Sequence, residues 1–292
     1  MLRRLFAVAL AAVALLLVPV VPAQASGAKP HVLVFTKAAD PKQEHTATST
    51  DVNLLQMFGR RYGFEVDATD SAASFTRPTL DKYDVVLWLN NYGDVLDAKQ
   101  QRAFAAWMSR GGGYVGVHGA SRAERHWKYY HDLVGAFEVT GEGQPTTART
   151  VAVDTDQSPA RYAPEQLEDH DDQWYHFDRD VAKRKGFDVL ATIDGGLNDS
   201  TLPVAWCHKF EGGRAWYTSM GHSSKNFEDG DFEKLLRSGI WWAAGIKSQP
   251  MVNVSDSTPS WPYGLTFLAW IAAVAAGGAL AVVRLNRRER LA

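Results

Sequence analysis

The stretch DVVLWLNNYGDVLDAKQQRAFAAWMSRGGGYVGVHGAS, residues 84–121, decides the fold. It begins with an apolar run over residues 84–90 that suits a buried parallel strand. Asp97 is a good N-cap for the helix that follows, and the glycines at 111–113 end that helix. A second apolar strand is predicted at 114–117. This strand–helix–strand order predicts a parallel sheet covered by helices.

The same alternation continues on both sides of this unit. A strand is predicted at 31–35, a helix at 49–62 and a second strand at 64–69. Later in the chain, strand-like segments occupy residues 148–154, 187–193, 204–210 and 214–219, and a last helix is predicted at 231–244. Glycines between the last two strands indicate a hairpin. The fold class is therefore α/β: a doubly wound, mostly parallel sheet with a mixed edge, sandwiched by helices.

The first 25 residues have the pattern of a cleavable signal peptide. Two arginines precede an apolar run over residues 5–18, and the small-residue sequence Ala-Gln-Ala at 23–25 is typical of a signal peptidase site. We predict cleavage after Ala25. A retained N-terminal anchor is the alternative interpretation.

The other end of the chain predicts a membrane anchor. The 19 residues from Leu265 to Val283 carry no charge and would span about 28 Å as a helix, close to the thickness of a hydrocarbon core. We place the transmembrane helix at 263–283. The arginine-rich tail at 284–292 is expected to stay in the cytoplasm. The protein is thus predicted to lie in the cell membrane with its domain outside.

Between these ends, we predict one domain at 29–246 and a Ser- and Pro-rich linker at 247–262. Residues 26–262 carry about seven more acidic than basic side chains, which argues against nucleic acid as a partner. Cys207 is the only cysteine, so no intramolecular disulfide forms, and its predicted position inside a strand makes it a poor nucleophile. Neither a dinucleotide-binding glycine motif nor a P-loop is present.

Residues 116–119, Gly-Val-His-Gly, form the first candidate site. They follow a strand and have the layout of a nucleophile elbow, in which small neighbours let a strained turn project one side chain. The projected residue is His118, which could act as an acid or base, bind a metal or hold a substrate hydroxyl. A structural histidine bonded to backbone is the alternative.

Three other segments with candidate site residues are expected to lie at the same carboxyl edge of the sheet. His222 follows a strand and a glycine, and His45 precedes the first helix. Asp172, together with Tyr175, suits a carboxylate and aromatic platform for a sugar, although a polar loop is equally consistent. Among the ten tryptophans, Trp127 is the candidate for stacking on a sugar, whereas Trp88, Trp107, Trp206 and Trp241 are expected in the core.

Six ordered stretches resemble the ThuA-like family, named after trehalose utilisation. They are LVFTKAAD, YDVVLWLNNYGDVLDAKQQRAF, GGGYVGVHGAS, DDQWYHF, PVAWCHKFEGGRAWYTSMGH and GIWWAAG. The resemblance implies a class I glutamine amidotransferase-like fold with a histidine, here His118, where amidotransferases have cysteine. It therefore implies that amidotransfer does not occur. It also implies a pocket lined by His118, His222, His45 and the Asp172 region, and a role with disaccharides or keto-sugars.

One residue departs from the family pattern. Family members usually have a glutamate where this chain has Gln173, so a general acid or base at that place is absent. Either Asp171 or Asp172 takes the role of that glutamate, or the pocket binds without turnover, and two hypotheses follow. In the first, His118 and His222 transfer protons on a sugar and Asp172 orients one imidazole, while His45, Trp127, Gln173 and Tyr175 bind the substrate. In the second, the domain binds or senses a sugar without turning it over.

No organic cofactor is predicted. A divalent metal held by the histidines remains an open variant of the first hypothesis.

Overall fold

The computed structural model describes residues 29–40, 42, 48–139, 146–194 and 201–246, and these contain one nine-stranded sheet. The strands lie in the order β2-β1-β3-β4-β9-β8-β7-β5-β6. Their bounds are β1 His31–Phe35, β2 Glu65–Thr69, β3 Val85–Leu89, β4 Gly113–Val117, β5 Thr147–Val153, β6 Gln166–Asp172, β7 Phe187–Ile193, β8 Leu202–Phe210 and β9 Gly213–Thr218.

The sheet has a parallel half and an antiparallel half. Strands β2, β1, β3, β4 and β9 pair in parallel, and the remaining pairs, from β9 to β8 onward to β6, are antiparallel. The α/β class and the mixed sheet are confirmed. The antiparallel part is larger than the predicted edge. Four of the eight strand pairings among the described residues are antiparallel, and they include that of β6, where no strand was predicted.

Helices cover both faces of the sheet. The helices are α1 Thr48–Tyr62, α2 Arg77–Leu80, α3 Ala98–Met108, α4 Lys128–Val134, α5 Ser224–Glu228 and α6 Gly230–Ala243. Alternate residues of each buried strand face opposite layers. Val32 and Val34 pack with α1 and α6, whereas Leu33 and Phe35 pack with α2, α3 and α4. The predicted sandwich follows from this alternation.

Two local predictions are confirmed in atomic detail. The Asp97 side chain caps α3 by accepting hydrogen bonds from the backbone N–H groups of Lys99 at 2.8 Å and Gln100 at 2.9 Å. The hairpin between β8 and β9 turns at Glu211 and Gly212, whose φ angles of 46° and 97° are both in the left-handed region.

The core contains the tryptophans that sequence analysis placed there. Trp88, Trp107, Trp206 and Trp241 are all buried. Cys207 is fully buried in β8, and burial, with the nearby Asp188 carboxylate, raises the pKa of its thiol. This environment fits the prediction that Cys207 is not a nucleophile.

The predicted terminal segments lie outside the described residues. These are the signal peptide at 1–25, the linker at 247–262, the transmembrane helix at 263–283 and the tail at 284–292. Within the described part of the chain, the helices are all too short or too polar to cross a bilayer.

Candidate functional site

The candidate site lies at the carboxyl edge of the sheet, where ligands of open α/β sheets bind. Asn90 follows β3, His118 follows β4, and residues 219–222 follow β9. Residues 173–175 reach the same edge from β6, which runs in the same direction as β9 because four antiparallel pairings separate the two strands. Four strands thus bring polar side chains to one place.

His118 is held in a strained turn. Its φ of 46° is in the left-handed region, which is uncommon for a residue other than glycine. Gly119 permits the turn, since a Cβ there would lie 3.0 Å from backbone atoms of Asn90. The hydroxyl of Tyr217 donates to the carbonyl oxygen of His118 at 2.9 Å and so supports the same turn. The elbow predicted from sequence is therefore present.

The hydrogen bonds of the His118 ring fix its tautomer. Nδ1 lies 2.6 Å from the carbonyl oxygen of Ser219, which can only accept, so Nδ1 carries a proton. In the neutral ring, Nε2 is then an acceptor. It lies 2.6 Å from the hydroxyl oxygen of Tyr175 and 3.2 Å from Nδ1 of His222.

These three side chains form a hydrogen-bonded cluster, the His–Tyr cluster, which we define as His118, Tyr175 and His222. Burial raises the pKa of Tyr175, with smaller and opposing effects from Arg122 and Glu138, so its phenol stays protonated and can donate to His118. His118 and Tyr175 are almost fully buried, whereas His222 is half-buried. The cluster therefore offers a chain of hydrogen-bonding groups that leads from the interior toward the solvent.

Asp172 fixes the backbone that carries His222. Its carboxylate accepts hydrogen bonds from the backbone N–H groups of Gly221 at 2.7 Å, His222 at 3.2 Å and Gln173 at 2.7 Å. Its fourth contact, at 3.3 Å, is with Nε2 of His170. Asp172 thus positions His222 through the main chain, and the prediction was that it orients one imidazole of the pair His118 and His222.

His170 balances the charge of Asp172 from behind. Its ring is buried, with Nδ1 3.1 Å from Asp229 and Nε2 3.3 Å from Asp172. Burial alone would lower the pKa of His170, but the hydrogen bonds and charges of the two aspartates outweigh it and raise the pKa to about 9. The side-chain nitrogen of Asn226 also lies 3.2 Å from Nε2 of His170, but it donates to the carbonyl oxygen of Asp171. We therefore infer that the N–H at Nε2 of His170 donates to the carboxylate of Asp172.

A small polar cavity of about 50 Å³ adjoins the cluster. Besides His118 and His222, the side chains that line it include Asn90, Asn91, Tyr92, Arg122, Gln173 and Tyr175. Because a cavity of about 10–15 Å³ already holds one water molecule, this one admits a few hydroxyl-sized groups, not a whole sugar ring. It can therefore receive one edge of a larger polar ligand.

The single cation at this cavity is already paired within the described residues. Arg122 Nε lies 3.6 Å from a carboxylate oxygen of Glu138, and its guanidinium lies 4.8 Å from the ring centre of Tyr92. The cavity thus suits a neutral ligand better than a strongly anionic one.

A larger groove of about 520 Å³ lies apart from the His–Tyr cluster. Its lining comes from Val139, from residues 176–183 and from residues 201–203, and includes Arg179 and Lys183. Neither histidine of the cluster contributes to it. We place the candidate site at the smaller cavity because the groups able to do chemistry are there.

The structure brings together five of the residues predicted from sequence. His118, His222, Gln173 and Tyr175 line the small cavity, and Asp172 lies directly behind it. Trp127 does not line it; its ring packs against Tyr129, Tyr130 and Phe104. His45 lies outside the described residues.

Several site residues were missed by sequence analysis. Asn90 and Asn91 follow β3 directly, so the strand-end rule that selected His118 could have found them. Arg122 and His170 had no comparable signal. Within the described residues, no group of three or more His, Cys, Asp or Glu side chains is arranged to hold a metal ion.

The profile of one protein family matches this chain. It is the ThuA family, described as trehalose utilisation, and it matches residues 31–243. No curated protein sequence matches the chain at a significant level.

Several solved structures share the fold. A ThuA-like protein from Bacteroides uniformis is 21% identical, with a TM-score of 0.63 over 76% of this chain and 94% of that one. A ThuA-like protein from Parabacteroides merdae is 16% identical, with a TM-score of 0.62 over 77% and 93%. A β-galactosidase from Bacillus circulans sp. alkalophilus is 12% identical, with a TM-score of 0.50 over 75% of this chain and 31% of that one.

Proposed function

The chain belongs to the ThuA family, and we propose that its domain acts on a carbohydrate, a disaccharide or keto-sugar, outside the membrane to which a C-terminal helix anchors it. The observation that carries the proposal is the His–Tyr cluster, in which Nε2 of His118 lies 2.6 Å from the Tyr175 hydroxyl and 3.2 Å from Nδ1 of His222. The family description as trehalose utilisation supports a sugar as the ligand.

The cluster suits general acid–base catalysis. His118, with Nδ1 protonated, would accept a proton from a substrate hydroxyl or from a carbon next to a carbonyl through Nε2. The Tyr175 hydroxyl, turned from Nε2 toward the substrate, would donate its phenolic proton to the atom that develops negative charge and would regain a proton from the His118 imidazolium. His222, which is half-buried, would exchange protons with solvent. Such proton transfers typically contribute 10²- to 10⁴-fold to a rate.

The surroundings of the cluster favour a neutral, hydroxyl-rich ligand. The cavity is polar, and the charge of Arg122 is offset by Glu138. A sugar presents hydroxyl groups that both donate and accept, and such groups match a lining of amides, imidazoles and a phenol.

A second candidate function, sugar binding without turnover, is favoured by Gln173. This residue lines the cavity and is buried, and its amide cannot serve as the acid or base that a carboxylate would supply. In this alternative, the histidines hold the ligand and the membrane anchor keeps a sensor or binding module near the surface.

A thermal-shift screen of the full-length chain tests the proposal. Mono- and disaccharides, their 3-keto forms and divalent metals are added separately, because a ligand that binds the native state raises the midpoint. We expect a sugar to raise the midpoint of the wild type but not that of His118→Ala. The matched control is His126→Ala, which removes an exposed histidine.

The outcomes separate the candidate functions. Product formed from the shifting sugar, detected by NMR, supports the enzyme, whereas binding without product supports the binding module. Activity that a chelator abolishes and added metal restores would support the metal-dependent variant. A sugar-induced shift that persists in His118→Ala would remove the cavity from the proposal.

A further inference from the structure

Two adjacent amide side chains in the cavity each have one end without a partner. Asn90 and Asn91 are 5% and 0% exposed. Among the described residues, no hydrogen-bond partner lies within reach of Nδ2 of Asn90 or Oδ1 of Asn91. An unsatisfied buried polar atom is uncommon in native proteins because it loses its hydrogen bonds to water without gaining others. A pair of them at one cavity therefore indicates a ligand.

In each amide, the atom that already has a hydrogen-bond partner determines whether the remaining atom is the nitrogen donor or the oxygen acceptor. Oδ1 of Asn90 faces the backbone N–H of Gly119 at 3.4 Å, and Nδ2 of Asn91 donates to the carbonyl oxygen of Lys37 at 3.1 Å. Rotating either amide by a half-turn would place donor against donor or acceptor against acceptor. Asn90 thus presents a donor and Asn91 presents an acceptor.

Backbone hydrogen bonds hold the chain around the two residues. Asn90 has a φ of 54°, a left-handed conformation that asparagine adopts more readily than most residues. The next two residues form backbone hydrogen bonds. The carbonyl oxygen of Tyr92 accepts from the N–H of Ala39 at 2.8 Å, and the N–H of Gly93 donates to the carbonyl oxygen of Arg122 at 3.2 Å. Asn91 is fully buried, so a ligand hydroxyl contacts its Oδ1 only after the side chains that line the cavity shift.

We infer that the side chains of Asn90 and Asn91 bind two neighbouring hydroxyl groups of a hexopyranoside beside His118 and so determine which sugar is bound. One ligand oxygen accepts from Nδ2 of Asn90, and the adjacent hydroxyl donates to Oδ1 of Asn91. This inference rests on the proposed function, since it names the part of the sugar that enters the small cavity.

Calorimetric titration of the full-length chain tests the inference. The probes are methyl α-D-glucopyranoside and its 2-, 3-, 4- and 6-deoxy forms. The proteins are the wild type, Asn90→Asp, Asn91→Leu and His118→Ala, with Asn53→Asp as a control on the exposed face of α1. Asn90→Asp keeps the acceptor that faces Gly119 and tolerates the left-handed backbone, but it replaces the donor by an acceptor.

We expect the wild type to bind two deoxy forms, altered at neighbouring carbons, about 10- to 100-fold more weakly than the parent sugar. Asn90→Asp should lose the discrimination at one of these carbons and Asn91→Leu at the other, while Asn53→Asp behaves as the wild type does. The deoxy series on the wild type remains informative even where a variant fails to fold.

Three results would overturn the inference in distinguishable ways. In one result, His118→Ala abolishes binding, but Asn90→Asp and Asn91→Leu keep the relative affinities of the wild type for the deoxy forms. Asn90 and Asn91 then do not bind the sugar hydroxyls, but the proposed function stands. If the wild type binds none of the five probes while a disaccharide or keto-sugar raises its midpoint in the thermal-shift screen, the inference fails and the proposed function stands. If neither the probes nor any sugar of the screen binds, both fail.

Discussion

The carboxylate of Asp172 accepts a hydrogen bond from the backbone N–H of Gly221 at 2.7 Å, and this bond ties the end of β6 to the turn after β9. The two strands lie far apart in the sheet order, with four pairings between them. The contact therefore joins the two outermost strands of the antiparallel half at the site. It also positions His222, because Gly221 is the residue before it. Several predictions about stability depend on this link.

Replacing Asp172 by Asn should destabilise the domain strongly. The amide that replaces one carboxylate oxygen would point N–H groups at the backbone donors of Gly221, Gln173 or His222, and His170 would lose a charged partner. We expect the free energy of unfolding to fall by about 3 kcal/mol. Urea denaturation measures it, and Asp171→Asn, an exposed neighbour, should stay within about 0.5 kcal/mol of the wild type.

The buried His170 predicts a loss of stability at alkaline pH. Its folded-state pKa of about 9 is above the ordinary value of 6.5, so its contribution is complete below pH 6.5 and is lost as the pH rises through 9. Between pH 6.5 and 9.5, the wild type should lose about 3 kcal/mol relative to His170→Gln. Urea denaturation at a series of pH values gives this difference. A loss of the same size in wild type and variant would contradict the assignment.

Gly221 should not tolerate a side chain. Its φ of 105° is strained for alanine, and an added Cβ would lie 2.8 Å from Cγ1 of Val117. We expect Gly221→Ala to lower the free energy of unfolding by about 3 kcal/mol and to weaken ligand binding, because His222 is displaced. Gly230→Ala is the matched control. Nothing lies within 4 Å of its Cβ, and alanine at the start of α6 should be neutral or slightly stabilising.

The parallel half of the fold was predictable because its strands are continuous apolar runs. Strands β1, β3 and β4 are buried on both faces. Each is therefore a continuous apolar run that can be recognised without knowing which strands pair with it. Strand β6 gave no such signal. Its buried positions include His170 and Asp172, so polar residues occupy places where alternation normally shows apolar ones.

The site was predictable where glycines mark a tight turn, as they do beside His118 and His222. It was not predictable where a role depends on a distant partner. His170 is held by Asp229, 59 residues further along the chain. Trp127 shows the limit for aromatic residues, because nothing in a sequence distinguishes a ring that stacks on a sugar from one that packs on Phe104.

Asp51 predicts a stabilising substitution. Its carboxyl group is fully buried, with Ser224 bonded to Oδ1 at 2.7 Å, and burial raises its pKa to about 6 despite this bond. Because the folded pKa is above the ordinary value of 3.8, stability is lost as the pH rises from 4 through 6. Asp51→Asn should therefore raise the free energy of unfolding by about 2 kcal/mol at pH 8 and give little gain at pH 4. Equal gains at both pH values would contradict this reasoning.

Tyr175→Phe distinguishes proton transfer from ligand binding at the site. The ring would stay packed 4.4 Å from His118, centre to centre, while the hydroxyl that contacts Nε2 is lost. If Tyr175 supplies a proton during turnover, kcat for the sugar found in the screen should fall at least 100-fold with little change in KM. The free energy of unfolding should fall by about 1 kcal/mol, the value of one hydrogen bond.

The control for this variant is Tyr83→Phe. Tyr83 donates to Asp67 at 2.9 Å and packs against His31 at the amino end of β1, so it loses a similar bond at the opposite edge of the sheet. It should lose stability to a similar extent and keep its kcat. A rise in KM with unchanged kcat in Tyr175→Phe would assign the hydroxyl to ligand binding, and the reacting proton would then have to pass between His118 and His222, which are 3.2 Å apart.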